Sequence, residues 1–282
     1  GDNDDGRLII LSGYPKWIRN DFRYLLGLGA IIFNRGDFKS LCGPCPEEVI
    51  WLYGQKGINK YENIITDNSP IKSMAFEDSG LYVIRNDKKS DYALIKATSN
   101  QQKILTAHAH DDTLSFELWI DGEPIFIDPG TFCYTSDIKK RNYFRSKSMH
   151  NTICVNEEGS NQLLEIEPFK ALITPKVEIL KWDQNSKNIH FIAEYFSPEK
   201  SFPKWRHRRE IIYNIERCDW TIIDKVLSEK NISISFAARL NSYKKISFDS
   251  KSNNLQKVYI GNVVLTNLSK LDISIDKKDA FY

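Results

Sequence analysis

From Ser69 onward the chain reads as a succession of short apolar runs broken by Asn, Asp, Gly or Lys. They are Gly80–Arg85, Tyr92–Ala97, Leu114–Ile120, Ile125–Asp128, Thr152–Val155, Ile189–Tyr195, Glu210–Tyr213, Trp220–Val226, Ile232–Ala237 and Val258–Thr266. Runs of this length and punctuation are strands, and a long series of them specifies an antiparallel β-sandwich. Asp121-Gly122 lies between two apolar runs and is a strong two-residue hairpin turn. Strand side chains alternate between faces, so Leu114, Phe116, Leu118 and Ile120 point to the core and Ser115, Glu117 and Trp119 to the other side.

The earlier part of the chain has a different texture. Arg19 to Asn34, RNDFRYLLGLGAIIFN, opens on polar residues suited to capping and continues with apolar residues spread around a helix, despite two glycines. Pro46 to Gly54 has Pro near the first helical position, acids in the first turn and Gly at the end, which predicts a helix closing at Gly54. The fold class is therefore mainly β: an antiparallel β-sandwich over residues 66–282, preceded by a short α-helical segment over residues 1–65. The acidic opening, Gly1-Asp2-Asn3-Asp4-Asp5-Gly6-Arg7, is no EF-hand, because counting from Asp2 puts Arg7 and Gly13 where the loop needs Gly and an acid.

Composition bounds the partners. With 39 basic and 37 acidic residues the net charge is +2, too small to imply nucleic acid or membrane binding. Two local basic runs, Lys139-Lys140-Arg141 and Arg206-His207-Arg208-Arg209, read as solvated faces when taken alone. No apolar run approaches the roughly 20 residues that cross a bilayer, and no basic-then-apolar leader opens the chain. The cysteines, Cys42, Cys45, Cys133, Cys154 and Cys218, form no dense disulfide framework. Cys42-Gly-Pro-Cys45 lacks both the βαβ setting of a redox dithiol and the second pair of a zinc ribbon, so it reads as a loop with incidental thiols.

Three of the five histidines gather in one region: His108 and His110 in Ala107-His-Ala-His-Asp-Asp112, and His150 in His150-Asn151-Thr152. In an extended segment His-x-His puts both imidazoles on one side, and two imidazoles with a carboxylate make a plausible zinc set. Local hydrogen bonding or core packing is the alternative, and spacing leaves both open. A two-residue turn at Asp121-Gly122 pairs Ile120 with Glu123 and, further on, Ser115 with Asp128. A straight strand would then leave His110 roughly 15 Å from Asp128 at about 3.3 Å per residue. A metal site therefore requires the chain to bend at Asp111-Asp112-Thr113, residues suited to a turn.

Longer words surround these residues. AHAHDDTLSFEL (107–118), DGEPIFIDPGTFCY (121–134) and YFRSKSMHNT (143–152) together closely resemble the heparinase II/III-like family of polysaccharide lyases, which is related to oligoalginate lyases. In that family an α/α toroid precedes the sandwich. The resemblance implies that residues 1–65 are the end of a toroid, with the acidic opening near its last helices. It further implies a zinc held by His110, Asp128 and His150, structural before it is Lewis-acidic, with Asp112 as a supporting or turn-forming carboxylate. Ala107 stands where the family word usually has Gly.

The same resemblance makes His108 the sugar-facing residue for proton transfer, a task suited to imidazole with its ordinary pKa near 6.5. A surface His is the alternative. Tyr143 is a second candidate for proton transfer or stacking, with Tyr134 competing for that role, and Arg145 offers a planar fork for a carboxylate. Packing at the sandwich edge is an equal reading for each. Asn151 orients the His150 loop; His207 and His190 read as structural.

The implied partner is an acidic, uronate-containing polysaccharide or oligosaccharide cleaved by β-elimination, and the implied location is periplasmic or extracellular. The toroid words that neutralise the uronate carboxylate are not matched here. A carbohydrate-binding or scaffold sandwich that retains a structural zinc is thus the alternative. A metal-dependent hydrolase is weaker, since no paired carboxylates stand out. The sequence carries no signal for oligomeric state.

Overall fold

The structure, a computed structural model, describes residues 21–86, 88–98, 108–156, 167, 169, 175–199 and 201–235, and the backbone of 236–237, 246–249, 256–260 and 263–267. The acidic opening and Ala107 lie outside the described residues. The chain separates into two compact units, Asn3–Ile71 and Lys72–Tyr282.

Among its described residues the first unit holds three helices: α1 (Arg23–Phe33), α2 (Gly36–Cys42) and α3 (Glu47–Asn63). Ala30, Ile31, Val49, Tyr61 and Ile64 form its core, with Phe38, Cys42 and Cys45 packed against it. The Tyr61 hydroxyl donates to the Gly43 carbonyl at 2.7 Å, which fixes the turn carrying the two cysteines. The five cysteines are not joined in disulfides among the described residues. The expected stop at Gly54 is a kink instead: Gly54 turns out of helical geometry (φ 58°) and the helix resumes to Asn63. A glycine ends a helix by adopting positive φ, but here the following residues can start another turn.

The second unit is a β-sandwich. One antiparallel sheet has the order β1 (Met74–Phe76), β2 (Leu81–Asn86), β3 (Asp91–Lys96), β4 (Phe116–Ile120), β5 (Glu123–Phe126). After α4 (Ile138–Phe144) and β6 (Thr152–Val155) comes a second sheet built from β7 (Val177–Gln184), β8 (Asn188–Phe196), β9 (Trp205–Asn214) and β10 (Asp219–Ser228), all antiparallel. A ribbon pairs β11 (Ile234–Ala237) with β6, and β12 (Ile246–Asp249), β13 (Gln256–Ile260) and β14 (Val263–Asn267) make a third sheet. The single run foreseen from Val258 to Thr266 is thus a hairpin of two strands. β1, β7, β12 and the short helices α2 and α4 carry too little periodicity to be foreseen.

The core interleaves both main sheets, with Ile84, Ile95, Phe116 and Leu118 from one and Phe191, Ala193, Tyr195, Ile211 and Tyr213 from the other. Tyr82 crosses between them, 4.9 Å from Phe191 and 5.3 Å from Trp182. Asp121 (φ 51°) and Gly122 (φ 79°) form the expected hairpin turn, and Ile120 pairs with Glu123. The register then shifts by one, so that Leu118 faces Phe126. Pro124, opposite Trp119, has no N–H for a regular ladder. The pairing of Ser115 with Asp128 is accordingly replaced. Beyond Phe126 the Asn151 side chain takes over, donating to the carbonyls of Phe116 (2.9 Å) and Ile127 (3.0 Å).

Among the described residues no helix is long and apolar enough to cross a membrane.

Candidate functional site

Three loops of the sandwich unit bring the histidine and aspartate words together. The first runs from His108 into β4. Asp111 bends, and the Ser115 N–H donates to the Asp112 carbonyl (3.0 Å), so β4 starts at Phe116 and not at Leu114. The required turn is there. Leu114 leaves the strand conformation altogether (φ 54°) yet stays fully buried. The His-x-His word does not keep the shared face that an extended segment would give it, because the chain bends here: His108 is exposed, while His110 is buried, as are Asp111 and Asp112.

The second loop carries Asp128, whose Oδ1 accepts the Gly130 N–H (2.8 Å) and whose Oδ2 lies 2.7 Å from His150 Nδ1. The third loop brings His150, fully buried, with its ring centroid 5.4 Å from that of His110. Helix α4 begins at Asp137, which caps it by accepting the Lys140 N–H, and it drives Arg141 inward. Arg141 Nη1 is 3.3 Å from His110 Nε2, and its guanidinium lies over the rings of Tyr134 (5.5 Å) and Phe169 (5.0 Å). His108 meets the same two rings edge-on, at 6.4 and 6.3 Å. The tyrosine in ring contact with His108 is therefore Tyr134. Tyr143 is exposed on α4 and meets Phe144. Arg145 is completely buried, and its carbonyl accepts the Asp111 N–H (2.9 Å).

Charge is arranged as tightly as the rings. Burial would raise the Asp128 carboxyl, but the field of His150 and its hydrogen bond outweigh that and hold it down at about 2. Burial likewise opposes ionisation of Asp112, yet Lys96, in direct ion-pair contact, keeps that carboxyl well below the usual range. Glu117 goes the other way, pushed up to about 7 by burial and by the nearby Asp128 charge. These three acids line a hollow of about 220 Å³ together with Leu81, Leu94, Lys96, Ser115 and Phe116. Lys147, also buried, lies 3.6 Å from Asp111; burial lowers its pKa, but Tyr195 and Asp111 more than compensate and leave it raised.

No group of three His, Cys, Asp or Glu side chains has metal-holding geometry among the described residues. Two observations fit a divalent ion nonetheless. His110, His150 and Asp128 are donors of the class zinc takes. Asp128 Oδ2 and His150 Nδ1 converge to 2.7 Å, and His150 Nε2 is buried with no hydrogen-bond partner among the described residues, so carboxylate and imidazole already meet at one point with a ring nitrogen to spare.

Comparison with known proteins adds the decisive observation: the heparinase II/III-like C-terminal family matches over residues 68–274. The chain belongs to that family. Heparinase II/III-like relatives include the heparin-sulfate lyase of Pedobacter heparinus, 23% identical over 214 residues, 73% of this chain and 29% of that protein. The heparin-sulfate lyase of Bacteroides stercoris is 23% identical over 166 residues, 58% of this chain and 22% of its own length. Among solved structures, the heparan sulfate lyase HepC of Pedobacter heparinus superposes with a TM-score of 0.59 at 19% identity, over 85% of this chain and 34% of that one. A heparinase III gives 0.57 at 17% identity, over 84% and 33%. The chain thus spans about a third or less of these heparinase relatives, and the structural likeness establishes the shared sandwich fold.

Several residues of the site escaped sequence reasoning. Arg141 had no signal, because α4 was not foreseen. Arg209 did have one: period-two reading of β9 places Trp205, His207, Arg209, Ile211 and Tyr213 on one face, and all are buried. The reading of Arg206 to Arg209 as a solvated face is thereby corrected. His207 and Arg209 point inward, while Arg206 and Arg208 both pair with Glu194 on β8. In the other run Lys139 and Lys140 are exposed, and Arg141 is not.

Proposed function

We propose that this chain is the sandwich part of a polysaccharide lyase that cleaves acidic, uronate-containing glycans by β-elimination, acting in the periplasm or outside the cell. The observation that carries this reading is the division of the His-x-His word, with one imidazole exposed beside aromatic rings and the next buried beside His150 and Asp128. In such a reaction a base takes the C5 hydrogen, the electron pair forms the C4–C5 double bond, the C4–O4 bond breaks, and an acid protonates the leaving O4. His108 is the candidate to move one of these protons, and its exposed ring, met edge-on by Tyr134 and Phe169, supports that role. Exposed Tyr143 is the second candidate in proton transfer, and half-buried Tyr134 offers a ring for sugar contact. Arg145, fully buried, supports this reading as a loop-holding residue more than as a substrate fork. His110, Asp128 and His150 would hold the zinc, with Asp112 held beside them by Lys96. When bound, the ion would pin the three loops and could polarise an oxygen.

The test uses the full-length protein on a panel of acidic polysaccharides, following ultraviolet absorbance of the unsaturated uronate product. Product from wild type and its loss in His108→Ala support the reading. Binding without product favours a carbohydrate-binding scaffold instead. Metal analysis of wild type and His110→Ala tests the zinc: near-stoichiometric metal that falls away in the variant is expected, and metal-free wild type rejects it.

A further inference from the structure

Arg209 is fully buried on the inward face of β9, and its guanidinium reaches three separate parts of the chain. Nε and Nη2 form a fork on the Asp224 carboxylate of β10, both at 2.8 Å. Nη1 donates to the carbonyl of Leu114 and to that of Asn151, the latter at 2.7 Å. Leu114 lies in the loop that bears His110, two residues before β4; Asn151 directly follows His150. The guanidinium also lies 5.0 Å over the Phe116 ring, at the start of β4.

A second, independent observation concerns Leu114. A bulky side chain at φ 54° occupies a sparsely populated backbone region, which persists only where the surroundings over-determine it. Here the side chain is locked in the core and the carbonyl is captured by Arg209. The companion bond from Thr152 Oγ1 to the Thr113 carbonyl (3.0 Å) ties the same two loops one residue further along.

We propose that Arg209 is a positioning residue: from the second sheet it clamps the His110 loop to the His150 loop and thereby sets the separation of the two imidazoles. Only a planar fork with spare donors can hold a carboxylate and two carbonyls together. A lysine in its place keeps the charge beside Asp224 but lacks the reach to both carbonyls. His207 provides the control, because its Nε2 shares Asp224 (2.7 Å) and it is equally buried, yet no hydrogen bond joins it to either loop among the described residues.

The experiment compares wild type, Arg209→Lys and His207→Gln in the full-length protein by amide hydrogen exchange and by zinc competition against a chromophoric chelator. The zinc arm rests on the metal reading above; the exchange arm does not. In Arg209→Lys the amides of Asp111, Ser115 and Thr152, which bond within and between these loops, are expected to exchange at least about tenfold faster, with those of the β9–β10 ladder unchanged. Zinc affinity is expected to fall by about tenfold or more, as for other residues that orient ligands. His207→Gln should leave both readouts at wild-type values. Unchanged loop exchange in Arg209→Lys, or equal loosening in His207→Gln, overturns the proposal. If Arg209→Lys does not fold, the charge-neutral pair Arg209→Met with Asp224→Asn is measured and judged by the same criteria. A wild type that takes up no zinc removes the metal reading alone, and loop exchange then decides the role of Arg209.

Discussion

Replacing Glu117 by Gln should stabilise the metal-free protein at pH 8 and leave it almost unchanged at pH 4. Glu117 lies in the outward register of β4, lines the hollow beside Asp128, and titrates at about 7 in place of its ordinary 4.5. Burial is the larger cause and the Asp128 charge the second. For an acid whose folded pKa is raised, the native state binds more protons than the unfolded chain between the two values, so stability falls as pH rises from about 4.5 to about 7 and stays lower above that. At about 1.4 kcal/mol per pH unit the ceiling is ~3 kcal/mol, and the partial exposure of the side chain reduces the expected gain to about 1–2 kcal/mol. Gln keeps an oxygen for the backbone N–H of Asp128 and removes only the ionisable proton. The assay is urea unfolding of wild type and variant across pH 4–9 in the presence of chelator. A variant that is equally destabilised at both ends, or a wild type whose stability does not fall between pH 5 and 8 relative to the variant, refutes the reasoning.

Three further outcomes follow from the same interior. His207 is held down to about 4, first by burial and against the pull of Asp224, so the native state resists a proton that the unfolded chain accepts below pH 6.5. Stability should therefore fall as pH drops from 6.5 to 4, and His207→Gln should flatten that fall by up to about 3 kcal/mol in acid unfolding curves. Asn151→Ala removes both donors that replace the β4–β5 ladder and leaves the Phe116 and Ile127 carbonyls wanting; a loss of roughly 2 kcal/mol in denaturant unfolding is expected, and a loss under 0.5 kcal/mol would contradict the bridging role. If zinc is held as proposed, chelation should lower the thermal midpoint, equivalent to roughly 3 kcal/mol for an ion present at a hundred times its Kd, with recovery on adding zinc back.

Much of the sandwich could be read from the chain because the information is local. Alternation along β3, β4 and β9 states which side chains face the core, and Asp121-Gly122 states where the chain reverses. The need for a bend at Asp111 to Thr113 came from counting residues between that turn and Asp128. What escaped was non-local. The one-residue register shift, with Trp119 facing Pro124 and Leu118 facing Phe126, is a property of the strand pair, and the helical run past Gly54 depends on what the next turn packs against. Arg141 is buried because an unforeseen helix turns it toward His110.

The words around His108, Asp128 and His150 determined the family and the mainly β architecture, because strand period, turn chemistry and motif spacing are properties of neighbouring residues. Tertiary structure alone decided which imidazole faces solvent and which meets a partner from another loop. It also turned Arg209 from one member of a basic run into a buried clamp, since a buried charge is tolerated only where distant strands bring it a carboxylate and carbonyls to bind.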